Sequence, residues 1–265
     1  MSAPRRLLPL NGGVLTSDEA QQLVERAVRL SRADEIEVNF TSTATGNTRF
    51  AANQMSTSGS VNDVQVLVQS SFGQKSAVVT TNDLSDAALE RTVRQSEALA
   101  RLSPDNPEAM PRLGPQSYRL AANYFESTAN VTPDDRAKAA LGALGEARSR
   151  GDLEAAGFLV TTVTASGLGN NKGLFAYNRR TGNNYTLTVR TADGTGSGWA
   201  AADHPDWSRL DAAAVSRRAI EKARLSRNPV ALEPGRYTVI LEPQAVGDLV
   251  SLLGSTLQAR LADEG

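Results

Sequence analysis

Two stretches decide the fold: Glu35-Ile36-Glu37-Val38-Asn39-Phe40 and Val64-Gln65-Val66-Leu67-Val68. In both, apolar residues recur at every second position, which is the period of a β-strand with one buried face. Gly46-Asn47 and Ser58-Gly59-Ser60 lie between the two stretches and are typical of turns. We therefore expect strands linked by hairpins, in a meander of about four.

A helix is predicted on each side of these strands. Thr16 and Glu19 have the spacing of a capping box, and the apolar positions that follow them form one helical face. Asn82-Asp83-Leu84-Ser85 is predicted to begin the second helix, which Ser103-Pro104 ends. The order of the first unit is therefore helix, strands, helix.

The same order recurs in the second half of the chain. A helix is predicted from Thr132, strands from Leu153 to Ala200, and a further helix from Leu210 to about Arg227. Short strings recur at nearly constant spacing: Phe50-Ala51-Ala52-Asn53 with Phe175-Ala176-Tyr177-Asn178, Asp83-Leu84-Ser85 with Asp206-Trp207-Ser208, and Ala100-Arg101-Leu102-Ser103 with Ala223-Arg224-Leu225-Ser226. We infer a tandem duplication whose two copies pack against each other.

The predicted fold class is α+β. It consists of duplicated units of helix, four-strand meander and helix, which form mixed, mainly antiparallel sheets with packed helices, followed by the start of a further domain. The predicted domains are residues 1–110, 111–232 and 233–265. The proline-rich stretch Pro104–Pro115 is predicted to connect the first two as an extended linker.

The third predicted domain contains too few elements to close a core. Tyr237, Val239 and Leu241 alternate as in a strand, and a helix is predicted from Ala245 to Leu261. One strand and one helix do not make a stable domain. We therefore expect the sequence to be a fragment that ends inside this domain.

Composition excludes several classes of protein. Lys and Arg number 28 against 29 Asp and Glu, so the net charge of −1 gives no indication of a nucleic-acid or membrane partner. The absence of cysteine excludes disulfides and thiolate chemistry and favours a reducing cytoplasm. The apolar run around Leu7 and Leu8 is too short for a signal sequence, and no window approaches the roughly 20 residues of a membrane-spanning helix.

His204, the only histidine, is the first candidate for a metal ligand. It lies in Ala202-Asp203-His204-Pro205-Asp206, which holds three side chains able to bind a metal. Neighbouring side chains in a turn diverge, however, and a hydrolytic zinc site draws its ligands from rigid elements. We expect the loop to cap the following helix instead. The single histidine and the lack of a Gly-x-Ser-x-Gly motif also argue against a serine hydrolase.

Two glycine-rich stretches, Gly167–Gly173 and Gly194–Gly198, lack the lysine and the following helix of a phosphate-binding loop. We expect their glycines to mark turns, bulges or close approaches of the backbone. Asp134-Asp135 is explained by the dipole at a helix start rather than by a carboxylate pair for catalysis. Arg179-Arg180 is predicted to lie at a solvated hairpin tip.

Several strings resemble the TldD/PmbA family. They are Arg49-Phe50-Ala51-Ala52-Asn53, Thr81-Asn82-Asp83-Leu84-Ser85 and Leu232-Glu233-Pro234-Gly235-Arg236-Tyr237-Thr238-Val239, in that order across most of the chain. The resemblance implies a zinc metallopeptidase, once named a modulator of DNA gyrase, that degrades or trims unfolded peptides in the cytoplasm as a heterodimer. In such a pair one subunit carries the metal and the other lacks it.

The metal-bearing subunit of that family has the motif His-Glu-x-x-x-His, in which two imidazoles hold zinc and the carboxylate activates water. By the resemblance, Pro243, Gln244 and Asp248 stand where that subunit has His, Glu and His. Proline offers no lone pair to a metal, and glutamine cannot take up a proton. The resemblance therefore implies the metal-free, PmbA-type subunit, with no catalytic or metal-binding residue of its own.

Two classes of function stay open at this point. The first is a non-catalytic subunit that pairs with a zinc-bearing TldD-like protein, or with itself, and holds an unfolded peptide. In this case the zinc is expected in the partner. The second is a peptide-binding or assembly module without a proteolytic role. Neither a nucleic acid nor a membrane is expected as a partner, and the residues that line a peptide site are not predicted.

Overall fold

A computed structural model describes residues 13–119 and 121–265. The short apolar run around Leu7 and Leu8 lies outside the described residues. The chain divides into one unit that ends at Pro229 and a second unit, Val230–Gly265. Among the described residues, none of the helices combines the length and the hydrophobicity that crossing a bilayer requires.

The two copies have the same order of elements, which confirms the duplicated fold. The first copy contains helix α1 (Ser17–Leu30), strands β1 (Glu35–Ala51), β2 (Gln54–Phe72) and β3 (Lys75–Thr81), and helix α2 (Asp86–Leu102). The second contains the short helix α3 (Glu126–Ala129), helix α4 (Pro133–Ser149), strands β4 (Leu153–Asn170), β5 (Phe175–Thr191) and β6 (Ser197–His204), a 3₁₀ turn (Trp207–Arg209) and helix α5 (Ala212–Leu225).

The strands form one six-stranded sheet in the order β3-β2-β1-β4-β5-β6. Each copy supplies a three-stranded meander, and the meanders join where β1 pairs with β4 from Glu37↔Asn170 to Phe50↔Gly157. Every pairing in the described sheet is antiparallel, so the predicted mixed pairing is wrong. Tight hairpins account for the antiparallel pairs inside each meander, since parallel neighbours would need long crossover connections. The β1–β4 pair is not joined by a hairpin.

The prediction of four strands per copy is also wrong, because neither expected breaker interrupts a strand. Gly46-Asn47 lies inside β1 and Ser58-Gly59-Ser60 inside β2, where the two segments pair with each other. The chain turns instead at Ala52-Asn53, both of which have left-handed φ angles, 47° and 57°. Glycine inside a strand marks a close approach of another group, and at Gly46 that group is the guanidinium of Arg136.

One face of the sheet carries the helices. Ile36, Val38, Phe40 and Phe50 occupy alternate positions of β1 and are all buried. The first three contribute to a core with α1 and α2, whereas Phe50 contributes to a second core with α4 and α5. Because these side chains share one face of a long strand, both pairs of helices lie on the same side of the sheet, next to one another.

The helix boundaries confirm the predicted caps. Thr16 and Glu19 form a capping box in which the Thr16 amide donates to Glu19 Oε2 at 2.8 Å and the Glu19 amide to Thr16 Oγ1 at 3.3 Å. Thr132 and Asp135 form a second box at the start of α4. Helix α2 follows the N-cap Ser85 and ends before Ser103, as expected.

The repeated strings are equivalent in only some places. Asp83 and Asp206 both accept the amide of the serine two residues later, at 2.9 and 3.0 Å, so this pair occupies matching positions. Phe50 lies near the end of β1, however, and Phe175 begins β5. The match between these two phenylalanines therefore does not reflect structural equivalence.

In the unit Val230–Gly265, no strand is formed at Tyr237–Leu241, which contradicts the predicted alternating strand. A strand needs a neighbour for its backbone hydrogen bonds, and no other strand lies in this unit. The predicted helix is present as two pieces, α6 (Pro243–Gly254) and α7 (Ala259–Glu264).

Candidate functional site

Pro243, Gln244 and Asp248 all lie on α6. Pro243 occupies the first turn, where its missing N–H costs no helical hydrogen bond. Gln244 Nε2 donates to Asp248 Oδ1 at 2.9 Å, as i,i+4 neighbours on one face of the helix. Within residues 13–119 and 121–265, no group of three or more His, Cys, Asp and Glu side chains could hold a metal ion.

His204 has a structural role in the loop after β6. Its Nδ1 accepts the amide of Asp206 at 2.9 Å. Asp206 in turn accepts the Ser208 amide and caps the 3₁₀ turn, as the sequence predicts. Hydrogen bonds from the Ser127 and Ser208 hydroxyls hold the pKa of the Asp206 carboxyl below its usual value. The loop therefore joins β6 to α3 and to the following turn.

The glycine-rich stretches have the structural roles predicted for them. Gly194 adopts a left-handed φ of 74° in the turn between β5 and β6. A side chain at Gly198 would collide with the carbonyl of Ala219 on α5, and one at Gly167 with the carbonyl of Ala176. These glycines therefore allow close packing of the backbone, which is the use expected of glycine in a strand.

Arg179 and Arg180 do not lie at a hairpin tip, so this prediction is wrong. Both residues lie within β5, which runs from Phe175 to Thr191 without a turn. Both arginines are exposed, as predicted, and the Arg179 guanidinium lies over the ring of Tyr124, 4.1 Å from its centroid. Asp135 lies in the first turn of α4, as expected, where it also forms the capping box with Thr132, and hydrogen bonds from Thr132 lower the pKa of its carboxyl.

The outer edge of β2 is the feature most suited to binding another chain. Strand β3 covers only Val66–Phe72 of β2. The preceding part of the strand, Gln54–Gln65, pairs with β1 on one side and with no other strand among the described residues. We call this segment the open edge.

The register shows which backbone groups of the open edge point outward. Phe72 pairs with Lys75 across a two-residue turn, so these two residues form a hydrogen-bonded pair. Every second residue back from Phe72 turns its N–H and C=O to the same side. The outward groups of the open edge are therefore those of Ser58, Ser60, Asn62 and Val64.

The corresponding edge in the second copy is covered. Strand β6 begins to pair with β5 at Asn183, so the outer side of the first half of β5 also has no strand beside it among the described residues. There, however, the connector between the copies approaches: the Thr181 amide donates to the carbonyl of Asn123 at 3.0 Å, and the Phe125 amide donates to Thr181 Oγ1 at 3.1 Å. The open edge is therefore specific to the first copy.

The chemistry of the open edge favours strand addition. Proteins protect exposed edges with lysine, proline or bulges, because unpaired N–H and C=O groups recruit other strands. The segment Gln54–Gln65 contains no lysine or proline, and Asp63 is its one charged residue. The sequence does not indicate this site, because Ser58-Gly59-Ser60 has the composition of a turn. Its low charge and lack of proline are the signals that could have identified it.

Comparison with known proteins agrees with the fold. Residues 36–100 match the family model described as PmbA/TldA metallopeptidase domain 1, and residues 126–227 match the PmbA/TldA metallopeptidase central domain. Together the two matches cover well over half of the chain. No curated protein matches the sequence.

Three solved structures have the same fold. TldE from Thermococcus kodakarensis superposes with a TM-score of 0.69 at 13% identity, over 77% of this chain and 47% of that one. A candidate modulator of DNA gyrase from Thermotoga maritima superposes with a TM-score of 0.73 at 15% identity, over 82% of this chain and 50% of that one. A candidate modulator from Bacteroides thetaiotaomicron superposes with a TM-score of 0.73 at 13% identity, over 89% of this chain and 56% of that one.

The chain spans about half the length of these solved structures. The likeness at such low identity establishes the fold, and the two family models establish the relationship. The chain therefore belongs to the PmbA/TldD metallopeptidase family.

Proposed function

We propose that this chain is the non-metal-binding subunit of a zinc metallopeptidase pair in the cytoplasm, and that it holds an unfolded peptide for cleavage by a metal-bearing TldD-like partner. The observation that carries the proposal is the open edge of β2. An extended peptide would add there as a further strand, through backbone hydrogen bonds with Ser58, Ser60, Asn62 and Val64.

Recognition through the backbone explains how one site would accept many sequences. Main-chain N–H and C=O groups are the same in every residue except proline, so strand addition depends little on side-chain identity. A folded protein has its backbone groups already paired and would be excluded. The open edge therefore supports unfolded polypeptide as the substrate class.

The residues at the start of α6 support a non-catalytic role. Gln244 donates to Asp248, and its amide cannot act as a general base as a glutamate does. Pro243 has no side-chain donor atom for a metal. In the proposed pair, both the zinc ion and the base that activates water therefore come from the partner.

The test is peptidase activity on an unfolded polypeptide, with the full-length protein assayed alone and after mixing with a metal-bearing homologue. We expect activity in the mixture and near-zero zinc in the protein alone. Chelator-sensitive cleavage by this protein alone would contradict the proposal. Peptide binding without turnover in every mixture would instead favour a binding or assembly module with no proteolytic role.

A further inference from the structure

A cavity of about 480 Å³ lies on the helical face of the sheet, near the start of α4. Its walls come from both copies: Gly46 of β1, Asn62 of β2, Thr161 of β4 and the side chains of Arg136 and Arg179. A volume in this range is typical of small-molecule sites. The residues that line the cavity include two arginines and no aspartate or glutamate.

Arg136 is the unusual member of this group. Only 2% of the surface of Arg136 is exposed, although its side chain carries a full charge. Nη1 makes two long hydrogen bonds, to Thr161 Oγ1 at 3.3 Å and to the carbonyl of Val131 at 3.5 Å. Nε and Nη2 have no acceptor. A buried cation normally has a partner, because its desolvation is costly.

Among the residues described, no carboxylate accepts a hydrogen bond from this cation, although the charge of Asp135 acts on it. Asp135, the neighbouring residue, uses its carboxylate to accept the amide and the hydroxyl of Thr132, at 3.0 and 2.6 Å. Burial lowers the pKa of the Arg136 guanidinium, yet arginine remains protonated at neutral pH. Residues 1–12 contain neither aspartate nor glutamate.

The sheet leaves room for this cation at Gly46. A Cβ atom at Gly46 would collide with the Arg136 guanidinium, so glycine in the middle of β1 is what allows the guanidinium to lie against the strand. The position of Arg136 in the first turn of α4 is otherwise unfavourable, because the helix dipole repels a cation there. The fold therefore holds a positive charge at the cavity wall although the dipole opposes it.

We propose that this cavity binds a small ligand through a carboxylate group, with Arg136 as its main anchor. The two unpartnered nitrogens, Nε and Nη2, form one edge of the guanidinium, and that edge matches the two oxygens of a carboxylate. A bound carboxylate would supply the acceptors that Nε and Nη2 lack. Arg179 adds a second positive charge, and Asn62 a polar group, at the same cavity.

This site does not depend on the proposed pairing with a metal-bearing subunit, although Asn62 belongs both to its wall and to the open edge. The carboxylate could belong to a free small molecule or to the carboxy terminus of a peptide. Acetyl-alanine and its carboxamide test the carboxylate itself, and an alanine pentapeptide with a free or an amidated end tests the peptide source. Inorganic phosphate tests whether another oxyanion is preferred.

The experiment is calorimetric titration of the full-length protein with each probe, together with the variants Arg136→Met and Arg136→Lys. Arg180→Met is the matched control, since Arg180 is an exposed arginine that does not line the cavity. We expect the free acids to bind and their amides not to bind. Arg136→Met should weaken binding about tenfold or more, Arg136→Lys should weaken it less, and Arg180→Met should leave it unchanged.

Two results would overturn the proposal. Phosphate binding as tightly as the free acids would show that the site does not select a carboxylate. No binding of any free acid, with Arg136→Met melting at a higher temperature than the native protein, would show that Arg136 is simply an unfavourable buried charge. Binding by acetyl-alanine and the free-acid pentapeptide alike supports a general carboxylate site, whereas binding by the pentapeptide alone identifies a peptide terminus.

Discussion

The hydroxyl of Tyr177 donates a hydrogen bond of 2.7 Å to the carbonyl of Leu15, which lies just before the N-cap of α1. Tyr177 belongs to β5 of the second copy, and its ring stacks on Phe40 of the first. Burial raises the pKa of the Tyr177 hydroxyl, which therefore stays protonated as the donor. The start of the first copy is thus held by a side chain of the second.

Replacing Tyr177 by phenylalanine should remove this bond and leave the ring stacking intact. We expect the free energy of unfolding to fall by about 1 kcal/mol, measured by urea denaturation. Tyr118→Phe is the control, because Tyr118 is 55% exposed. Equal stability of the two variants would show that the link between the copies adds nothing to stability.

Ser58→Pro should block strand addition at the open edge. Proline removes an outward N–H without removing a bond to β1, and its ring obstructs an incoming strand. We expect the affinity for a labelled unfolded peptide, measured by fluorescence anisotropy, to fall by at least about fivefold.

Ser58→Ala is the matched control for that change. Both variants lose the hydrogen bond of 3.2 Å from Ser58 Oγ to the carbonyl of Asn47, but alanine keeps the outward N–H. Peptide affinity of the alanine variant should equal that of the native protein. If proline and alanine have the same effect, peptides bind elsewhere.

Gly198→Ala should destabilise the protein, because the new Cβ would collide with the backbone of α5 at Ala219 and Ala223. The expected cost is about 1–3 kcal/mol, measured as a loss in the free energy of unfolding. Gly142→Ala on α4 has no atom within 4 Å of the new Cβ and should stabilise the helix by about 0.5–1 kcal/mol. The packing is confirmed if the two Gly→Ala substitutions change the free energy of unfolding in opposite directions.

The buried carboxylate of Glu97 should make stability depend on pH. Burial alone would raise its pKa, but hydrogen bonds from the Arg32 amide and the Arg94 guanidinium outweigh this, so the pKa lies below the usual 4.5. The ionised group therefore stabilises the fold above about pH 4.5, and this contribution is lost as the pH falls through the folded-state pKa.

Glu97→Gln isolates that contribution. At pH 7 the variant should be less stable by about 1–2 kcal/mol, and the difference should shrink toward zero between pH 5 and pH 3. Chemical denaturation at each pH measures it. A difference that stays constant over this range would mean that the loss comes from packing and not from ionisation.

Much of the fold could be predicted because its signals are local. The capping residues Thr16 and Thr132 act within one turn of their own helices, and the alternation at Val66 and Val68 directly reports a buried face. The predicted number of strands was wrong because Gly46 does not form a turn. It allows contact with Arg136, which is distant in the sequence. Likewise, Tyr237–Leu241 alternates without any strand to pair with.

The candidate sites were harder to predict from the sequence than the fold was. The open edge depends on where β3 begins to pair with β2, and pairing register is a tertiary property. The sequence does not distinguish Arg136 from other charged residues, since its burial and missing acceptors depend on packing against β1 and β4. An arginine in the first turn of a helix, against the dipole, was the one local signal.

The seam between β1 and β4 has a consequence for how the protein arose. It joins equivalent strands of two equivalent units in antiparallel register, which is the arrangement that a twofold axis produces between identical subunits. A chain with one such unit would form the same sheet as a homodimer. In a fused chain each half diverges independently, and here one half has an exposed margin while the other has a covering connector.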